Sequence, residues 1–259
     1  MGILLLKLFL SPALVVGSTL AGRRWGASVA GFFVGQPIVA GPILFITCLQ
    51  RGAAFDAGSA ASSLFGVTSL ALFAVVFARA GRWRGWAVTL LAGYAAVLAL
   101  DAALSFVRVP LPAALAVTLA AIAAALVAIG RAGEDGAPGA VPPSWDLPAR
   151  AVATGLLVLG VTSASAVLGP RWTGILAPFP VAMSVVAAFT RAQHGPATTA
   201  RTMATATVSL IGFAGFCVTA AVLVRPLGPV AYLPAAAVSV AVQLLAVRVR
   251  RRSARRQDA

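Results

Sequence analysis

The chain has 259 residues, 60% of them hydrophobic and only 10% charged, against about 25% charged in an ordinary soluble domain. With a mean hydropathy of +0.97, it has too little polar surface to cover a water-facing globule, so lipid is the expected solvent for most side chains. The formal charge of +14 comes from 20 Lys and Arg against 6 Asp and Glu. These cations lie in ones to threes between apolar runs, which excludes a nucleic-acid footprint and marks membrane topology.

Crossing a hydrocarbon core of about 30 Å takes about 20 apolar residues, and Arg, Pro and Gly punctuate the chain into nine such stretches. The predicted spans are Ile3–Gly22, Trp25–Leu49, Ala57–Ala78, Trp86–Val107, Leu111–Gly130, Ala151–Gly169, Trp172–Ala192, Met203–Val224 and Val230–Val249. The first has the look of a signal sequence, but it lacks a small-x-small cleavage site and runs into Arg23-Arg24, so it reads as an uncleaved helix. Asp56, before span 3, reads as a helix cap. Asp101 is the one acid inside a span. About 22 Å from Trp86 at 1.5 Å per residue, it falls in the outer third, within reach of water or Arg108. An intramembrane carboxylate costs at least about 2.5 kcal/mol, which makes Asp101 a candidate for proton or cation coupling.

After span 5, residues 131–145 are rich in Gly, Pro and charge and cannot pack a core; they read as a linker. Cys48 and Cys217 sit in apolar runs with no CxxC partner. Gln50-Arg51-Gly52 and Gln193-His194-Gly195-Pro196 are matched tight turns, and His194 reads as a solvated loop residue. Gly17, Ala21, Gly31 and Gly35 read as close helix packing. The arginine-rich end, 250–259, reads as a cytoplasmic stop signal that also suits anionic lipid.

Cytoplasmic loops hold the excess Lys and Arg. Nine spans with the C-terminus inside segregate 15 of the 20 cations to the inner side, leaving Lys7, Arg51, Arg108, Arg171 and Arg225. The N-terminus is then outside. The Ala, Arg and Gly bias with one Lys points to a GC-rich bacterial genome and hence an inner (plasma) membrane.

An internal repeat sets the expected fold. Ser18–Trp25 matches Ser165–Trp172 as S-x-x-x-G-x-R-W. After a four-residue gap, Pro37–Ala78 aligns without further gaps on Pro180–Ala221, pairing Pro37/Pro180, Thr47/Thr190, Gln50/Gln193, Gly52/Gly195 and Phe73/Phe216. Five spans separate the copies, an odd number, so the second enters the membrane from the opposite side. The fold expected is an all-α polytopic membrane protein whose nine transmembrane helices form an inverted-topology repeat of four, one and four, with interrupted helices 2 and 7. The corresponding segments are 1–107 for the first repeat, 108–131 for the odd helix, 132–149 for the linker, 150–249 for the second repeat and 250–259 for the basic tail.

Spans 2 and 7 hold the strongest breakers, Gly35-Gln36-Pro37 with Gly41-Pro42 and Pro178-Phe179-Pro180. Backbone groups freed at membrane depth survive only in protein or around a wet cavity. The candidate substrate-binding residues are therefore Gln36, Pro37, Gly41, Pro42, Thr47, Pro178, Pro180 and Ser184. Helix N-termini converging there suit an anion. The expected function is a secondary transporter of a small solute in the lipid bilayer, with a channel, a lipid scramblase or a non-transporting scaffold as alternatives. With one His and one buried acid, and no HExxH, GxSxG or P-loop, neither an enzyme nor a cofactor or metal is expected.

Overall fold

The computed structural model describes residues 32–130, 145–167 and 169–257, together with 12–13, 15–17, 19–21 and 23–25. Much of span 1, most of the linker, and Ser18, Gly22 and Leu168 of the repeated motif lie outside the described residues.

The described residues form helices and turns, with no strand. In an apolar medium every backbone N–H and C=O must find its partner within the chain, and a helix does this locally. The described residues from 12 to 25 and 32 to 34 are helical. Then follow α1 (Ala40–Arg51), α2 (Ala53–Ala80), α3 (Trp86–Ser105), α4 (Leu111–Ile129), α5 (Asp146–Val167), α6 (Gly169–Leu176), α7 (Val181–Leu227), a short 3-10 turn (Gly228–Ala231) and α8 (Tyr232–Gln257). Gly195 breaks α7 into a first part, 181–194, and a second, 196–227. Four stretches are long and apolar enough to cross a membrane: Ala53–Ala80, Trp86–Ser105, Leu111–Ile129 and Arg171–Ala246, the last including the turns at 177–180, 195 and 228–231. α8 continues through the basic end as far as residue 257; arginine is a good helix former.

The centre of the molecule is α2 packed against the second part of α7. Hydroxyls there do not need water: Ser63, Thr68 and Thr207 each donate to the carbonyl four residues earlier, which satisfies a buried polar side chain inside an apolar helix. α3 and α4 are peripheral. Leu91 and Leu98 on one, Val117 and Val127 on the other, point outward, as side chains do that face lipid.

Arginines close the ends of helices. Arg79 donates to the carbonyl of Ala128 at 2.7 Å, Arg191 to that of Gly81 at 2.6 Å, and Arg171 to those of Leu104 and Val107. The last carbonyls of a helix lack partners within it, and a guanidinium supplies both hydrogen bonds and favourable charge. These contacts gather residues 79–84, 128 and 191 at one end of the bundle and 104–107 and 171 at the other. The first end also holds a buried cluster in which Asp146 accepts from Arg23 (2.5 Å), Arg150 (2.9 Å) and Gln193 (2.6 Å), with Arg150 4.5 Å from the centre of the Phe189 ring. Burial alone would push the Asp146 carboxyl up. The hydrogen bonds from Arg150 and Gln193, the charge of Arg150 and the bond from Arg23 outweigh it and hold the group below the ordinary aspartate range.

The local backbone repeats at the sequence offset of 143 that relates Pro37 to Pro180. Before each proline, the N–H of Gln36 reaches Phe33 at 3.0 Å, and that of Phe179 reaches Leu176 at 2.9 Å. Across each proline a three-residue turn closes, Ile38 to Gln36 at 2.7 Å and Val181 to Phe179 at 2.6 Å. The next helix then opens with Gly41 on Pro37 and Ser184 on Pro180, at 2.8 and 2.7 Å. Both helices stop at a glycine in the left-handed region, Gly52 (φ 84°) and Gly195 (φ 79°), a conformation that any side chain would strain.

Candidate functional site

The prolines explain why the chain breaks at 35–39 and 177–180. Neither Pro37 nor Pro180 can donate a backbone hydrogen bond, and each ring clashes with the preceding turn. Pro180, at φ −71° and ψ 45°, adopts the inverse γ conformation that places the next N–H against the carbonyl before it. Pro42 lies in the first turn of α1, where a missing N–H costs nothing.

The two breaks meet. A cavity of about 20 Å³, room for about one water, lies between them. Ten of its lining residues form five pairs at the 143-residue offset: Val34 and Ala177, Gln36 and Phe179, Val39 and Ala182, Ala40 and Met183, Leu70 and Phe213. Ile38, Pro178 and Pro180 complete it. The supporting contacts are reciprocal too. A Cβ on Gly35 would stand 2.3 Å from the Ser209 Cβ, and one on Gly66 would stand 2.8 Å from Pro178 and 2.4 Å from the Ile175 carbonyl oxygen. Gly35 and Pro178, and likewise Gly66 and Ser209, are 143 residues apart, so each break packs against a helix that lies beyond the other break.

Gln36 is the one polar side chain on this cavity. Its Oε1 accepts from Ser239 at 2.7 Å, while its Nε2 is buried without a partner. Turning the amide over would leave the other end unpaired, so one hydrogen-bonding atom is unused in either orientation. A second cavity at the first break, of about 530 Å³, is lined by Gln36, Pro37, Gly41, Pro42, Phe216, Tyr232 and Ser239 among others. The remaining candidates lie apart. The Thr47 hydroxyl donates to Ile43, and the Ser184 hydroxyl donates to Val181 and accepts from Tyr94 at 2.8 Å; neither residue lines these two cavities. The partner of Gln36 by repeat, Phe179, packs its ring 5.2 Å from Tyr94.

Several sequence expectations are corrected here. Asp101 is not relieved by water or Arg108: it is 1% exposed, Ser69 donates to its Oδ1 at 2.5 Å, and its Oδ2 is buried without a partner. Asp56 is not a cap. The cap position of α2 is Gly52, with no side-chain hydrogen bond, and the wholly buried Asp56 instead accepts from the hydroxyl of Tyr232. His194 is not a solvated loop residue; it is half-buried, with Nδ1 shielded and without a partner. Gly17 makes no close approach, with nothing within 4 Å of a Cβ built there. The cluster around Asp146 is not visible in the sequence, because its members come from three separate segments. No group of three or more His, Cys, Asp or Glu among the described residues is placed to hold a metal ion.

Compared with known proteins, the chain matches no family model, no curated protein and no solved structure. The class that composition and fold define together is a helical protein with apolar helices compatible with a membrane.

Proposed function

We propose that the chain is an integral-membrane carrier for a small solute, built as an inverted-topology repeat of nine spans in a bacterial inner membrane, with its substrate site at the pseudo-two-fold axis between spans 2 and 7. The observation that carries this reading is the central cavity with its five pairs of repeat-related residues. Carriers that alternate access about a midplane site use such an arrangement, with interrupted helices at the repeat interface. At about 20 Å³, the cavity corresponds to an occluded state that must widen to admit a solute.

Gln36 is the orienting group, through its unused amide atom, and the prolines keep backbone groups turned toward the cavity. The N-terminal ends of α1 and α7, at Ala40 and Val181, border it on both sides. Their partial positive charge favours a carboxylate or another anion. Asp101 serves coupling: a carboxyl buried at this depth with no counter-ion must take up a proton or a cation.

The test is counterflow in reconstituted vesicles loaded with a bacterial metabolite extract, with the retained solutes identified by mass spectrometry. The carrier reading expects saturable depletion of one solute class. Conductance without saturation would indicate a channel, redistribution of labelled lipid a scramblase, and no flux a scaffold.

A further inference from the structure

The acid that sequence reading took for a cap is the one with the most unusual surroundings. Asp56 is 0% exposed, and its Oδ1 has no hydrogen-bond partner. The titratable groups facing it are Tyr232 from α8 and Cys48 from α1, with Cys217 of α7 beside Tyr232. Both cysteines are buried free thiols. Arg51, at the end of α1, places its guanidinium 5.3 Å from the centre of the Phe55 ring.

Tyr232 is held from both sides, its ring 5.7 Å from Phe45 and 5.8 Å from Phe216. The same ring lines the 530 Å³ cavity that reaches Gln36. Tyr232 thus lines the cavity beside the proposed substrate site, while its hydroxyl reaches the buried carboxyl.

We propose that Asp56 is a proton-binding site of this protein, filled and emptied through that cavity, with Tyr232 as the gate. When the carboxyl ionises, its proton passes to the Tyr232 oxygen as the phenol gives up its own proton to water reaching it from the cavity, and the renewed O–H donates to the carboxylate left behind. The return reverses the relay, so Tyr232 is neutral in both states. A hard metal cation such as Ca²⁺ takes about 6 to 8 oxygen ligands; the carboxyl and one phenol fall far short, so the ligand is H⁺. The proposal deepens the carrier reading and rests on it for the use of the proton, namely coupling to solute movement.

The experiment uses the full chain in liposomes, treated with a hydrophobic carbodiimide, which modifies protonated carboxyls in apolar surroundings, and mapped by peptide mass spectrometry from about pH 5 to about pH 9. An adduct on Asp56 is expected, falling at least about tenfold across that range and absent in Asp56→Asn. Tyr232→Phe is expected to displace the midpoint, and sodium to give no protection. Modification of Asp101 reports in every variant that the fold and the access of the reagent are intact. No adduct, an adduct independent of pH, an unmoved midpoint in Tyr232→Phe, or protection by sodium overturns the proposal. The carrier reading fails separately: absence of solute flux with a titrating adduct removes coupling and leaves the proton site, whereas flux with no titrating adduct does the reverse.

Discussion

At Gln36 the chemistry of one residue separates a binding site from a helix kink. A kink needs only the backbone of Pro37, whereas a site needs a polar atom with nothing else to do, and Gln36 has one at Nε2. Gln36→Ala is therefore expected to reduce solute flux by about 3- to 30-fold, the equivalent of the 0.6 to 2 kcal/mol that such a contact contributes inside a membrane, while leaving the yield of folded protein unchanged. Parallel loss of flux and folded protein would assign Gln36 to packing through Ser239. Ser184→Ala is expected to act through Tyr94 and to lower stability rather than affinity, as measured by thermal unfolding in detergent. The contrast between these residues was hidden in the sequence. Both are polar, both lie near a proline break, and only the helix across from each decides which is already satisfied.

Among the elements, close approach takes over from side-chain chemistry. Helices in lipid gain little from burying apolar surface against each other and depend on small residues that let backbones meet. Gly66 has the Ile175 carbonyl at 2.4 Å from an added Cβ, and Gly35 has the Ala206 carbonyl at 2.5 Å. Because backbone cannot step aside as a flexible side chain does, Gly66→Ala and Gly35→Ala are each expected to cost about 1–3 kcal/mol, read from denaturant unfolding in micelles. Gly17→Ala, with open space around it, is the control and is expected to change nothing. The element breaks were legible beforehand, since Pro37, Pro178 and Pro180 announce themselves by what they cannot do. The lengths were less so: span 8 was read as starting at Met203, but the helix begins at 196, because Pro196 fits a first turn and the Thr199 hydroxyl satisfies the Gly195 carbonyl at 2.8 Å.

For the whole molecule, the cluster at Asp146 ties residue 23, the i,i+4 pair 146 and 150, and residue 193 together, three segments that no local pattern in the sequence relates. Arg150 is 4% exposed, so Asp146→Asn leaves a buried cation unpaired and is expected to cost about 3–5 kcal/mol. The folded carboxyl lies below its unfolded value. Its contribution is thus complete above about pH 4 and is lost as the pH falls further, and the difference in melting temperature between wild type and Asp146→Asn should shrink on acidification in that window. The spacing of the arginines between apolar stretches is plain in the sequence. Their task, closing the ends of neighbouring helices at Ala128, Gly81 and Leu104, is not, because it depends on which helix ends lie side by side.

The central claim is that the two copies face opposite sides of a membrane, and the turns at Gly52 and Gly195 test it most directly. They share one backbone conformation, and the second part of α7, 32 residues from 196 to 227 or about 48 Å long, separates Gly195 from the end where Tyr232 meets Asp56. Single cysteines at Gln50 and Ala192, both exposed, in a chain whose Cys48 and Cys217 are replaced by Ala, would be treated with a membrane-impermeant maleimide in intact cells and in inverted vesicles. The account predicts labelling of position 50 from outside and of position 192 from the cytoplasmic side only. Labelling of both positions from the same side would contradict the inverted repeat, and with it the assignment of the central cavity to a transport site.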